Sequence, residues 1–264
     1  VRLASVVSAS MLLIATAAYA ADTPAVIAVV RKRIETSDFR ASGRLVRVEA
    51  TGNRISDSIT MAGRWFPGVL RVLVQVAPSR NSTRNTDQNT RVSILFEMRP
   101  SGQSTIRIFH PHTSEPTSVP FEKWSESVVG SDFNYEDFLQ SEYFWQSQTI
   151  LKSARFGARE CDVLRSTPGA SDRSHYAEVQ TWLDQTINYP VYVEKTPKNG
   201  GNVKEFTYFG LRKSGGVWSA RQVEVKIHGH PGSTVLIIER GSTRANLSLK
   251  DFSAEQISRF EDHP

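Results

Sequence analysis

The side chains with the widest chemical repertoire in this sequence are histidines in two H-x-H pairs, His110-Pro111-His112 and His228-Gly229-His230. Positions i and i+2 of an extended chain share a face, and β-sheet zinc sites gather ligands that way. Pro111 breaks the first strand pattern and Pro231 follows the second pair, so both pairs read as strand-end loops. No H-E-x-x-H motif or glycine-rich phosphate loop accompanies them, and neither a metal nor a cofactor is expected. Serine, histidine and aspartate are all present, but no G-x-S-x-G elbow presents a nucleophile. Cys161 sits beside apolar Val163 and Leu164 on a strand pattern, where a thiol is normally buried and inert. It is the single cysteine, which excludes an intrachain disulfide and a cysteine-rich zinc module. Glu136 and Asp137 are adjacent, so on a helix they point apart and make poor acid–base partners. Asp132 and Glu136, at i and i+4, read as a helix cap and a solvated face. No catalytic residue is expected; a metal-dependent hydrolase on the two H-x-H pairs is the enzyme alternative.

Hydrophobic residues make up 39% of the 264 and charged residues 22%, which suits a globular chain with a core of its own. There are 32 Lys and Arg against 27 Asp and Glu, interspersed rather than in runs, so no nucleic-acid partner is expected. Residues 1–20 read as a secretory signal peptide. Arg2 precedes an apolar run that is too short to span a bilayer, and Ala18-Tyr19-Ala20 is a small-x-small cleavage site. Cleavage after Ala20 would leave residues 21–264 as one exported domain, expected as a monomer in a bacterial periplasm.

The elements that must position the remaining side chains are mostly strands. Pro24–Glu35 has the apolar spacing of a short amphipathic helix. Strand patterns follow over 44–50, 69–76, 92–98 and 105–110, with Trp65-Phe66-Pro67 read as an apolar turn. Asp132 is expected to cap a helix carrying Tyr135, Phe138, Leu139 and Phe144. Six further strand patterns cover 158–166, 175–184, 191–196, 203–209, 217–227 and 233–239, separated by Gly- and Pro-bearing turns. Ser253 with Gln256 forms a capping box for a last short helix. The pattern amounts to about ten strands in a mainly β (α+β) domain, a large antiparallel sheet with helices on one side. Several strands are apolar on both faces: in 69–76, Val69 and Leu73 oppose Leu70, Val72, Val74 and Val76. A sheet with one wet face alternates, so helices or a ligand must cover the second face.

Gly130-Ser131-Asp132-Phe133-Asn134-Tyr135-Glu136-Asp137 resembles the "GSDFSYEDL" segment of LolA-like outer-membrane lipoprotein-sorting proteins. Thr181-Trp182-Leu183-Asp184 followed by Tyr189-Pro190-Val191 is similar to that family's "W-[LIV]-D-…-P-[LV]" strand pair. Arg221–Val225, Gly232–Leu236 and Asp251-Phe252-Ser253 resemble its closing strands and last helix. The likeness runs from about Phe39 to Ile257.

The resemblance implies a strongly curved, incomplete β-barrel with a few helices in its concave side. It also implies an apolar cavity for acyl chains of lipoproteins or lipids. Partners would be that cargo, an inner-membrane transporter and an outer-membrane acceptor. On that reading, Phe133, Tyr135, Phe138 and Phe144 belong to a lid, and Trp65, Phe96, Phe109, Trp182 and Phe206 to the cavity wall. Arg64 and Arg71, flanking the apolar turn, are candidates for holding a head group. The alternative on the same scaffold is a periplasmic sensor that signals to a membrane partner.

Overall fold

The computed structural model describes residues 23–78, 91–100, 103–110 and 115–258. The expected signal peptide, the polar loop over 79–90 and His112 lie outside the described residues.

The chain opens with α1 (Thr23–Glu35), followed by β1 (Asp38–Val48), β2 (Arg54–Phe66), β3 (Val69–Pro78), β4 (Val92–Met98), β5 (Thr105–Phe109) and β6 (Thr117–Ser118). After a central segment come β7 (Ser147–Phe156), β8 (Arg159–Thr167), β9 (Tyr176–Asp184), β10 (Pro190–Pro197) and β11 (Lys204–Phe209). The last elements are β12 (Arg212–Ser214), β13 (Val217–Ser219), β14 (Gln222–Ile227), β15 (Ser233–Ser242) and α2 (Ala254–Ser258). Thirteen strands form one sheet in the order β6-β5-β4-β3-β2-β1-β15-β14-β11-β10-β9-β8-β7, and β12 and β13 form a separate hairpin. The two end strands, β6 and β7, do not pair with each other, so the large antiparallel sheet stays open, as an incomplete barrel does.

The halves of the chain meet where β1 pairs with β15. The register shifts between Ser42 and Gly43, and a Cβ on Gly43 would stand 1.8 Å from the Ile237 carbonyl oxygen. Only glycine fits at that bulge.

Alternation then sorts the side chains between two faces. Leu70, Val72, Val74, Ile94, Phe96, Met98 and Ile106 enter the main core on the inner face, with Val30 and Ile34 of α1 and the central segment packed on them. Leu73, Leu95 and Phe109 point the other way, into a smaller cluster closed by Leu247, Phe252 and Ile257. Both faces are therefore covered by the chain itself over β3–β5, which accounts for strands apolar on both sides. The C-terminal turn and α2 lie on the outer face, while α1 and the central segment lie on the inner one. The capping serine behaves as its position suggests, with Ser253 Oγ accepting the Gln256 N–H at 3.3 Å.

Three local expectations change. Residues 54–66 form β2, so Trp65 and Phe66 end a strand and the turn is Pro67-Gly68. Asp57, Gly63 and the flanking arginine interrupt its apolar alternation, which hides the strand. The segment after Asp132 holds no α-helix but two 3-10 turns, Glu136–Phe138 and Ser141–Tyr143, separated by Gln140 in the left-handed region (φ 51°). Asp132 caps neither turn: its carboxylate accepts the Thr234 hydroxyl at 2.7 Å. The expected strand over 217–227 is two strands, β13 and β14, in different sheets.

Candidate functional site

A cavity of about 820 Å3 opens between the inner face of the sheet, the C-terminal end of α1, the central segment and the β12–β13 hairpin. That volume falls in the usual range for small-molecule sites. Met61, Leu70 and Val72 wall it from one half of the sheet, and Phe206, Val223, Leu236 and Ile238 from the other. Phe133 and Phe138 enter from the central segment.

Helix α1 is held in place by both its faces. Val30 and Ile34, four residues apart, are buried in the core. Arg31 donates to the Tyr143 carbonyl at 2.7 Å and to Gln148 at 2.9 Å, and Ile150 N–H reaches Thr23 Oγ1 at 3.2 Å. Phe39, on the cavity wall, lies over Gly63: a Cβ at that glycine would come within 2.4 Å of the Phe39 ring.

The central segment is locked by a buried polar network. Asn134 and Asp137 exchange bonds, with Asn134 N–H on Asp137 Oδ2 at 2.9 Å and Asp137 N–H on Asn134 Oδ1 at 3.0 Å. Tyr176 donates to Asp137 Oδ1 at 2.8 Å and accepts from Asn134 Nδ2 at 2.8 Å. Lys204 reaches Asp137 at 2.5 Å and Lys195 reaches it at 3.4 Å. The two lysines stand directly opposite each other in the β10–β11 pair. Two ammonium groups at that spacing repel unless a carboxylate sits between them. Glu142 takes Lys195 from the other side, at 3.3 Å. Burial pushes the Asp137 carboxyl up, but Lys204 and Lys195 outweigh it and the group ends below its ordinary value. Burial alone would lower Lys195, but Glu142 and Asp137 hold it above its usual range. Burial and the Asp137 charge raise the Tyr176 phenol well up, so it remains a neutral donor. Glu136, expected on a solvated face, is buried instead and accepts from the Ser174 hydroxyl and from His175 N–H at 2.9 Å.

The candidate residues divide between the two faces. Phe133, Phe138 and Phe206 line the cavity. Phe96 lies beneath them, stacked on Phe138 at 5.2 Å. Trp65 stacks on Phe144 at 5.8 Å, and both pack with Tyr135 on the main core rather than on the cavity wall. Phe109 faces outward in the second cluster. Trp182 alternates with inward Thr181 and Leu183 and meets Tyr192 edge-on at 5.0 Å, with Phe156 beyond it. The two arginines proposed for a head group also sit outside. Arg71 pairs with Glu97 at 2.8 Å, while Arg64 donates to the Leu247 carbonyl, and both lie over Phe66. Both point outward because Met61, Trp65, Leu70 and Val72 take the inner positions of the alternation, and Arg64 ties the C-terminal segment to that outer face.

Sequence reasoning missed the cations that do line the cavity, Arg33, Arg40, Lys195, Arg212, Lys213 and Arg240. Arg33 lies on the helix face next to Ile34, a position that periodicity alone would have offered. Among the described residues no three His, Cys, Asp or Glu side chains converge as metal ligands. His228 instead bonds Glu205 at 2.6 Å, and Cys161 is buried with its thiol pushed up by burial.

The architecture is that of the LolA-like open barrels. A protein domain from Vibrio parahaemolyticus, described as outer membrane lipoprotein-sorting, superposes with a TM-score of 0.78 at 20% identity, covering 90% of this chain and 98% of that one. A DUF1329 family protein from Desulfovibrio piger gives 0.76 at 16% identity over 89% and 98% of the two chains. A LolA superfamily protein from Nitrosomonas europaea gives 0.62 at 15% identity over 88% and 98%. No curated protein matches the sequence. The chain belongs to the family described as "Uncharacterized protein", whose model matches residues 82–259.

Proposed function

We propose that this protein is a periplasmic carrier that binds acyl chains of lipoproteins or lipids in the inner cavity and takes part in their sorting to the outer membrane, without catalysis. The observation that carries the reading is the cavity itself, an open space of about 820 Å3 walled by aliphatic strand residues and by Phe133, Phe138 and Phe206. Each methylene moved from water into such a site contributes about 0.8 kcal/mol, so one long chain supplies ample affinity. No helix of the described residues is long and apolar enough to cross a membrane. The carrier would take its cargo from an inner-membrane transporter and pass it to an outer-membrane acceptor.

The test is purification from a bacterial periplasm without detergent, then native mass spectrometry and organic extraction. A near-stoichiometric acyl species is expected. An empty protein that also refuses a fluorescent fatty-acid probe would sink the carrier reading and favour a sensor on the same scaffold.

A further inference from the structure

We infer that the ligand of this cavity carries an anionic oxygen head, carboxylate or phosphate, seated on the guanidinium groups of Arg33 and Arg212. The inference rests on the acyl-cavity reading and adds the chemistry of the head group.

The cavity lining carries four acids, and each has partners. Asp137 and Glu142 share the lysine network. Asp38 accepts the N–H groups of Asn246 and Leu247 at 3.0 and 3.1 Å. Glu239 pairs with Arg44 at 2.6 Å. The two guanidinium groups are different. Nε and Nη2 of Arg33 and Nε of Arg212 are enclosed by protein and donate to no acceptor among the described residues. Buried donors of that kind are costly to leave unmade, and a charged one more so.

Both groups belong to one locality. Arg33 lies over the Tyr189 ring at 4.7 Å. The Tyr189 hydroxyl accepts the Ala220 N–H at 3.2 Å. Ala220 follows Ser219, the residue that faces Arg212 across the β12–β13 hairpin. Tyr143 and Tyr208 also line this region. Burial pushes the Tyr143 phenol up to about 12 and carries Tyr208 well up, so neither supplies a counter-anion at neutral pH. A planar guanidinium on an aromatic face at the cavity lining, with N–H groups that meet no acceptor among the described residues, suits a carboxylate or phosphate joined to a hydrocarbon chain.

The experiment measures displacement of 1-N-phenylnaphthylamine from the protein at low ionic strength. The competitors are palmitate, 1-palmitoyl lysophosphatidylglycerol and neutral 1-monopalmitoylglycerol, with acetate and inorganic phosphate as chain-free anions. At least one anionic amphiphile is expected to compete about tenfold more strongly than the neutral one. Palmitate ahead of the lysophospholipid assigns a carboxylate head, and the reverse order a phosphate. R33Q and R212Q should each shrink the anionic-to-neutral ratio toward one, and R33K should keep part of it. If R33Q fails to fold, R212Q on the hairpin carries the comparison. Equal competition by charged and neutral amphiphiles would overturn the head-group inference and leave the carrier reading standing. Strong binding of acetate or phosphate that shuts out palmitate would overturn it as well. Failure of every amphiphile and of the apolar probe would overturn both.

Discussion

Asp137 and Arg33 line the same cavity with opposite charge, and the protein treats them differently. Asp137 is surrounded by Lys204, Lys195, Tyr176 and Asn134, every one within hydrogen-bond or ion-pair distance. Arg33 has an aromatic face and two enclosed nitrogens that meet no acceptor among the described residues. The contrast separates polar groups that hold the fold from polar groups left for something the fold does not supply. A saturated network ties β10, β11 and the central segment into one arrangement. Arg33 contributes its packed stem and its contact with the Tyr189 ring, but no hydrogen bond through Nε or Nη2 among the described residues.

The largest expected effect breaks the saturated side. Asp137→Ala leaves two buried lysines facing each other across β10 and β11, and should cost about 3–5 kcal/mol in urea unfolding. A loss under about 1 kcal/mol would show that the network is ornamental. Phe138→Ala removes a ring stacked on Phe96 and tilted against Phe133. It should cost about 3 kcal/mol, near the low end for a buried phenylalanine because the ring already borders a cavity. Arg33→Gln is the counterpart on the unsaturated side. Its stability should change by less than about 1 kcal/mol, since it removes no hydrogen bond through Nε or Nη2. A drop as large as that of Asp137→Ala would erase the distinction.

Two smaller tests use pH. The Asp137 carboxyl is held low in the folded protein, so its contribution is present above the unfolded value of about 3.9. It is lost as pH falls through the lower folded value. Asp137→Asn should therefore flatten the acid limb of the stability curve measured by thermal melts. The His228 imidazole is raised by its hydrogen bond and charge interaction with Glu205. Its small contribution is present below about pH 6.5 and fades as pH rises through the folded value. An NMR titration should find His228 above 6.5, and Glu205→Gln should bring it back.

The strands that the sequence displays most plainly are those whose apolar residues alternate without interruption, such as β3 and β4. β2 was hidden because Asp57 is buried within it and Gly63 yields its side-chain space to Phe39. β7 was hidden because it is an end strand with mostly exposed positions, so no apolar period marks it. The central segment looked helical because its aromatics fall at helical spacing. In the fold those aromatics are fixed by separate partners, Phe133 and Phe138 over the cavity and Phe144 on Trp65. An aromatic residue's type does not report which face of a strand it takes. Trp182 and Phe109 are as apolar as Phe206, but strand parity sends them outward.

The amino-acid sequence by itself determined the mainly β character, the position of α1, the two-sided burial of the central strands and the likeness to LolA-like proteins. These follow from local spacing, which is written along the chain. Tertiary structure alone decided which arginines meet the cavity and which carboxylate meets the lysines. Asp137, Lys195 and Lys204 are joined by the register of β10 and β11 and by the path of the central segment. Arg64 and Arg71 went outward because alternation across β2 and β3 gives their neighbours to the core. Arg33 and Arg212 met at one cavity because α1 and a two-strand hairpin close over the same stretch of sheet. Charge pairing over such distances along the chain depends on where strands lie in space, and no local pattern records it.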